Sequence, residues 1–234
     1  MTEIADRVAL VTGGQRGLGA AIVQGLLDRG AARVYATARA PRPEQDPRIV
    51  PLALDVVDDA SVAGLAEQVG DVDIVVNNAG VMVPTPLLRV AVDEVRATFE
   101  TNVFGALRIT QAFAPVLASR GGGAFVNLHS LLSWGAGGGA YGASKAALWS
   151  LSNSLRLELE AQGTHVLGVH LGFADTDMVA QLPAPQKLSP RHVADVVLDA
   201  LGNGEPEVLV DDATRAIKDA LSGPVRGLTV RLAR

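Results

Sequence analysis

The chain has 234 residues, no cysteine, and a formal net charge of −5 from 20 basic and 25 acidic side chains. Without cysteine there is no disulfide framework, thiolate nucleophile or cysteine-based metal site, and without a basic stripe no nucleic-acid partner is expected. Hydrophobic residues at 48% against 19% charged predict one domain over 1–234, while the acids near the N-terminus and the lack of a ~18-residue apolar run predict a cytoplasmic protein with no membrane partner.

Val8 to Val11 is a short apolar run closed by Thr12-Gly13-Gly14-Gln15-Arg16-Gly17-Leu18-Gly19, after which Ala20, Ile22, Val23, Leu26 and Leu27 recur at helical spacing. This reads as strand, glycine turn, helix. Such a turn lets the backbone approach a ligand, and the free N–H groups of the helix start attract phosphate. Arg33 to Thr37 predicts the next strand. Its end tests which dinucleotide binds, because a ribose 2′-hydroxyl calls for an acid there and a 2′-phosphate for a cation. The chain has Ala38-Arg39 at this point, with Arg16 in the neighbouring turn, so NADP(H) is favoured over NAD(H).

Pro41 to Pro47 is a loop, Ile49 to Leu54 a third strand with Asp55 directly after it, and Ser61 to Val69 a crossover helix. Val72 to Val76 has the near-continuous apolar character of a buried parallel strand and ends in Asn77-Asn78-Ala79-Gly80, a ligand-bearing kind of turn. Val92 to Leu117 reads as one long helix, interrupted by Asn102 and Gly105. Ala124 to Leu128 is a fifth strand with Ser130 just past its end. A glycine-rich loop, Leu131 to Ala140, follows. The helix from Tyr141 to Leu159 carries Tyr141 and Lys145 on one face, where a phenol and an ammonium can act on a single substrate.

Val166 to Leu171 is a sixth strand, Ser189-Pro190 opens a capped helix through Leu201, Glu207 to Val210 is a seventh strand, and Ala213 to Leu221 a terminal helix. A short lid is expected at about 173–190 and a loosely held tail from about 222. The alternation predicts an α/β fold with a doubly wound, parallel, seven-stranded sheet between two helix layers. Leu131, Leu132, Trp134, Phe173 and Met178, with Val83 and Leu182, are candidates for an apolar substrate pocket. His129, His165, His170 and His192 come with no carboxylate cluster, so no metal is expected.

The glycine loop, the Asn-Asn-Ala-Gly turn, Asn102, Ser130 and the Tyr141/Lys145 pair stand in one order along the chain. Together they closely resemble the short-chain dehydrogenase/reductase family from Arg7 to about Asp211. The resemblance implies a Rossmann-like domain in which Tyr141 is the general acid/base, Ser130 orients the substrate oxygen, and Lys145 contacts the nicotinamide ribose and favours the tyrosinate. Asn102 looks like the helix-kinking asparagine whose backbone carbonyl holds a relay water. Gly13, Gln15, Arg16, Gly17, Leu18 and Gly19 match the cofactor loop, and Asp55 the adenine contact. Asn78, Ala79 and Gly80 match the central-strand turn, and Thr176 the carboxamide contact.

Three places depart from the family pattern. Leu171 stands where proline is usual before Gly172. The Ser130 to Tyr141 interval is two residues shorter than the common one, which leaves Ser133 as a rival for the serine role. The lid is short. The expected activity is NADPH-dependent interconversion of a hydrophobic ketone or aldehyde and its alcohol, acting on the CH–OH group, in a homodimer or homotetramer. The alternatives are NAD-dependent alcohol oxidation, a non-catalytic dinucleotide-binding regulator, and nucleotide-sugar chemistry.

Overall fold

The computed structural model describes residues 2–182 and 187–230. Its strands are β1 (Val8–Val11), β2 (Arg33–Ala38), β3 (Ile49–Ala53), β4 (Ile74–Asn77), β5 (Gly123–Leu128), β6 (Thr164–His170) and β7 (Glu207–Leu209). They form a parallel sheet in the order β3-β2-β1-β4-β5-β6-β7. The winding reverses between β1 and β4, so the crevice at their carboxyl ends is where an open parallel sheet receives a ligand.

Alternation along each strand feeds two separate cores. Ala9, Val11, Ile74, Val76, Val126, Leu167 and Val169 pack under α1 (Gly17–Asp28) and α6 (Pro190–Asn203). Leu10, Val75, Phe125 and Val166, their neighbours in sequence, pack on the other face with Leu65 of α2 (Asp59–Gln68) and with Phe113 and Leu117 of α4 (Ala106–Ser119). A period of two thus serves both faces. α1 and α6 approach closely because Gly25 lacks a side chain: a Cβ there would lie 2.8 Å from Leu198 Cδ1. Ser189 caps α6 by accepting from the His192 N–H at 3.1 Å, with Pro190 in the first turn as expected.

One expectation needs correction. The long helix foreseen over Val92 to Leu117 is α3 (Val92–Phe99), a π turn at Glu100–Gly105, and then α4. The register changes where Asn102 turns inward and where Gly105 passes Val56, whose Cγ2 would meet a Cβ at 2.8 Å. The segment from about 222 carries backbone pairing near its described end. After α7 (Asp212–Asp219), the Ala136 N–H donates to the Leu228 carbonyl at 2.7 Å and the Val230 N–H to the Ala136 carbonyl at 3.0 Å. Paired backbone, rather than side-chain burial, fastens it to the loop before α5 (Gly139–Glu158).

Candidate active site

The glycine loop closes β1 onto the start of α1. Gly13 has φ +65° and Gly17 φ +53°, both left-handed. A Cβ on Gly19 would fall 2.2 Å from the Gly13 carbonyl oxygen, so only glycine lets this turn close. Asn78 fastens the loop from β4: its Nδ2 donates to the Thr12 and Gly13 carbonyls at 2.9 and 3.2 Å. The Thr12 hydroxyl in turn accepts from the N–H groups of Asn78 and Ala79, both at 3.0 Å. No side chain caps α1, whose N-cap is Arg16, so its first N–H groups are open to an anion. A bare glycine turn at a reversal of winding, ending in an uncapped helix, fits a pyrophosphate.

Arg16 and Arg39 are both exposed, and a third cation that the sequence reading passed over accompanies them. Gln15 donates to the Arg42 carbonyl at 2.6 Å and accepts from the Arg42 N–H at 2.8 Å, and the Arg42 guanidinium donates to the Gln15 carbonyl at 3.3 Å. The proline-rich loop is thereby moored beside the glycine turn. Asp55 lies past β3, its N–H donating to the Ser61 hydroxyl at 3.0 Å. Thr176 faces Gly17, where a Cβ would meet its Cγ2 at 3.3 Å. Leu18 is half-buried against the core under α1.

At the end of β5, Ser130 has an extended backbone (φ −162°) and opens a short 3-10 turn, Leu131–Ser133. Its Oγ accepts from the Leu132 N–H at 3.1 Å, which leaves the hydroxyl hydrogen free to donate outward. Ser133 instead points back and accepts from the Ser130 N–H at 3.3 Å. Of the two serines, Ser130 is the one whose hydroxyl faces Tyr141, closely enough to draw the phenol's pKa down.

Lys145 is buried on α5 one turn beyond Tyr141; its Nζ donates to the Leu128 carbonyl at 2.6 Å and lies 5.7 Å from the Tyr141 ring centroid. Burial lowers the ammonium from 10.5 to about 8. Tyr141 is the other group that burial shifts, here the phenol. Burial pushes it up from 10.0 to about 12, and the Ser130 hydroxyl offsets only part of that, so the protein surroundings alone favour the neutral phenol over the tyrosinate.

Asn102 is fully occupied as a tie. Its Oδ1 accepts from the Val81 N–H at 2.8 Å, and its Nδ2 donates to the Val81 carbonyl and to the Ser144 hydroxyl, both at 2.9 Å. Ser144 then donates to the Tyr141 carbonyl at 2.7 Å. The side chain links the π turn to the helix that carries the phenol. Gly80 sits beneath both groups: a Cβ there would lie 3.3 Å from Asn102 Oδ1 and 3.9 Å from Lys145 Nζ.

The candidate pocket residues divide. Trp134 is not a pocket wall; its indole is buried and stacks on His170 with ring centroids 3.9 Å apart. Leu131 is also buried, packed against Gly135 and Gly172. Both face inward because the 3-10 turn rolls their side chains toward β6. Leu132 and Phe173 are half-buried and Met178 is exposed. The lid expected at about 173–190 includes 183–186, outside the described residues; at its described ends the Asp175 N–H donates to the Leu188 carbonyl (2.8 Å) and the Leu188 N–H to the Phe173 carbonyl (2.7 Å). Beside Leu171, the Gly172 N–H donates to Asp211 at 2.7 Å, an anchor where proline is usual.

A family model described as short chain dehydrogenase matches residues 7–187. The chain belongs to the short-chain dehydrogenase family. It is 34% identical over 224 residues to 1-deoxy-11-beta-hydroxypentalenate dehydrogenase of Streptomyces exfoliatus, covering 86% of this chain and 82% of that protein. Its structure resembles a short chain dehydrogenase from Burkholderia cenocepacia in complex with NADP, with TM-score 0.91, 36% identity and 97% of each chain covered. It also resembles NADPH-bound carbonyl reductase from chicken fatty liver, with TM-score 0.81, 25% identity, 88% of this chain and 97% of that one covered. As a short-chain dehydrogenase the protein is an oxidoreductase acting on hydroxyl or carbonyl groups.

Proposed function

We propose that this short-chain dehydrogenase is an NADPH-dependent carbonyl reductase that converts a hydrophobic ketone or aldehyde to its alcohol. The observation that carries the reading is the Tyr141 phenol, held protonated beside Ser130 and above a buried ammonium. Reduction needs an acid at the carbonyl oxygen, and a phenol raised to about 12 is fully protonated at neutral pH. Ser130 donates its free hydroxyl hydrogen to the same oxygen and aligns it with the phenol. Lys145, charged below about 8, stabilises negative charge that develops on the tyrosine as its proton leaves.

The bound nicotinamide supplies the hydride. Gly13, Gln15, Gly17, Leu18 and Gly19 would hold the pyrophosphate side of the cofactor, Asn78, Ala79 and Gly80 the crevice floor, Asp55 the adenine and Thr176 the carboxamide. Arg16 and Arg39, with Arg42 fastened beside them, favour the 2′-phosphate. The NADP in the Burkholderia structure supports this preference. Leu132, Phe173 and Met178 offer an apolar wall.

A screen of NADPH consumption across ketones and aldehydes tests the reading. Tyr141→Phe is expected to remove turnover, a loss of at least about a thousandfold, while NADPH binding measured by fluorescence is kept. Retained turnover would refute the role of Tyr141. Tight NADPH binding with no carbonyl reduced would favour a dinucleotide-binding regulator instead.

A further inference from the structure

A run of buried polar side chains lies under the catalytic edge. Asn77 donates to Asn127 at 2.9 Å, Asn127 to the Ser152 hydroxyl at 2.8 Å, and Ser152 meets His129 Nε2 at 2.9 Å. His129 Nδ1 then faces His170 Nε2 at 3.0 Å, and His170 Nδ1 faces the Ser130 carbonyl at 3.1 Å. Both imidazoles are buried, at 2% and 0% exposure, where an unpaired ring nitrogen is costly. The fold makes room for them: Gly168, level with Asn127 across β5 and β6, would put a Cβ 2.8 Å from His129 Cε1. Trp134 stacks on the outer face of His170.

The atoms fix the hydrogens. A carbonyl oxygen only accepts, so His170 Nδ1 carries a hydrogen and donates it to Ser130. Burial keeps His170 neutral, with its pKa near 3, so its Nε2 is a lone pair. His129 Nδ1 is then the donor to it, and His129 Nε2 shares the single Ser152 hydroxyl hydrogen with the Leu148 carbonyl, which lies 2.8 Å from the same oxygen. Glu207 Oε1 also lies 3.4 Å from His170 Nε2, but Lys218 pairs with that carboxylate, and Lys145 and Arg156 add further positive charge around the rings.

Because the Ser130 carbonyl cannot pass a proton on, this line of bonds transmits position and not protons. Ser130 is otherwise held by neighbours in its own turn, through Ser133 and Leu132. His170 is the tie that reaches it from another strand. We propose that His129 and His170 form a positioning pair that sets the Ser130 carbonyl, and through it the direction of the Ser130 hydroxyl toward Tyr141. This rests on the role given to Ser130 under Proposed function.

Two experiments on the full chain test the pair. Long-range proton–nitrogen spectra of protein labelled at its histidines are expected to show His170 as the Nδ1–H tautomer; an Nε2–H tautomer with a bare Nδ1 would overturn the assignment. In NADPH oxidation with phenanthrenequinone or cyclohexanone as probe, His170→Phe removes the donor, whereas the Nδ2 of His170→Asn replaces Nδ1. His170→Phe is expected to lower kcat by about 10- to 100-fold with the KM for NADPH unchanged, and His170→Asn to stay within about threefold of the parent protein.

Adding His170→Phe to Ser130→Ala is expected to cost nothing more, because both act through one hydroxyl. Full activity in His170→Phe, equal losses in Phe and Asn variants, or additive losses in the double variant would overturn the positioning role. Full activity in Ser130→Ala alone would instead overturn the role given to Ser130. Thermal melts of each variant identify loss through unfolding, in which case the tautomer spectrum of the parent protein decides.

Discussion

Lys145 sets an upper pH limit on reduction. Its ammonium titrates at about 8 because burial disfavours the charge, while the Tyr141 phenol is held at about 12. Below about 8 both are protonated, the state in which a neutral acid and a positive charge meet the substrate oxygen. Since kcat/KM reports groups of the free enzyme, kcat/KM for carbonyl reduction is expected to fall as pH rises through about 8, with no second fall from the phenol below about pH 12. A profile flat to about pH 10 would contradict this. A second expectation concerns Arg39. Charge reversal, Arg39→Glu, is expected to weaken NADPH binding by roughly 10- to 100-fold, the loss of one charge-assisted hydrogen bond, and NADH far less; equal losses would count against a phosphate clamp. Tyr141, Lys145 and Ser130 were legible because helical spacing and a strand end mark them in the sequence. Thr12 and Ser144 were not singled out, since they act on groups 66 and 42 residues away. Arg42 gave no signal either, because its place depends on a hydrogen bond to Gln15 across 27 residues.

The element that most needed a structure is the stretch from Ser130 to Tyr141. It holds Gly137 at φ +110° and Gly139 at φ +53°, conformations an L side chain resists, so its own sequence cannot stiffen it. It is held from both sides instead. Leu132 packs against Gly138 and Gly142 at the start of α5, and the C-terminal segment pairs with Ala136 through bonds of 2.7 and 3.0 Å. Val230 fits over Gly135, where a Cβ would come within 2.5 Å of its Cγ2. Ending the chain after Gly223 is therefore expected to lower kcat about tenfold or more through loss of register between Ser130 and Tyr141, while NADPH binding, set at the other side of the crevice, is kept. Unchanged kcat in the truncated protein would show that the loop holds its register alone. Strands and helices were legible to within a few residues because each is periodic. The π turn and the C-terminal pairing were not, since both depend on what distant segments place beside them.

Across the whole molecule, both sheet faces are covered by helices, yet one flank keeps apolar residues outside. Val92 is 63% and Phe104 45% exposed, and together with Val95 and Phe99 they line a cleft along α3 and the π turn. The charges at its rim are already committed, Arg96 to Asp93 at 2.6 Å and Glu100 to Arg108 at 2.6 Å, so the cleft offers shape and apolar area rather than free charge. A second copy of the chain would meet those terms: a two-fold axis would set the same surface against itself, and apolar residues that cost solubility in one copy would be covered by their equivalents in the other. The flank lies beside the helix that carries Tyr141 and Lys145, so an association there would also steady the catalytic helix. Light scattering is expected to give the mass of a homodimer or a larger even assembly, and Phe104→Glu, which places a carboxylate on the two-fold surface, is expected to shift it toward the monomer. A monomeric mass for the unaltered protein at micromolar concentration would reject association through this flank.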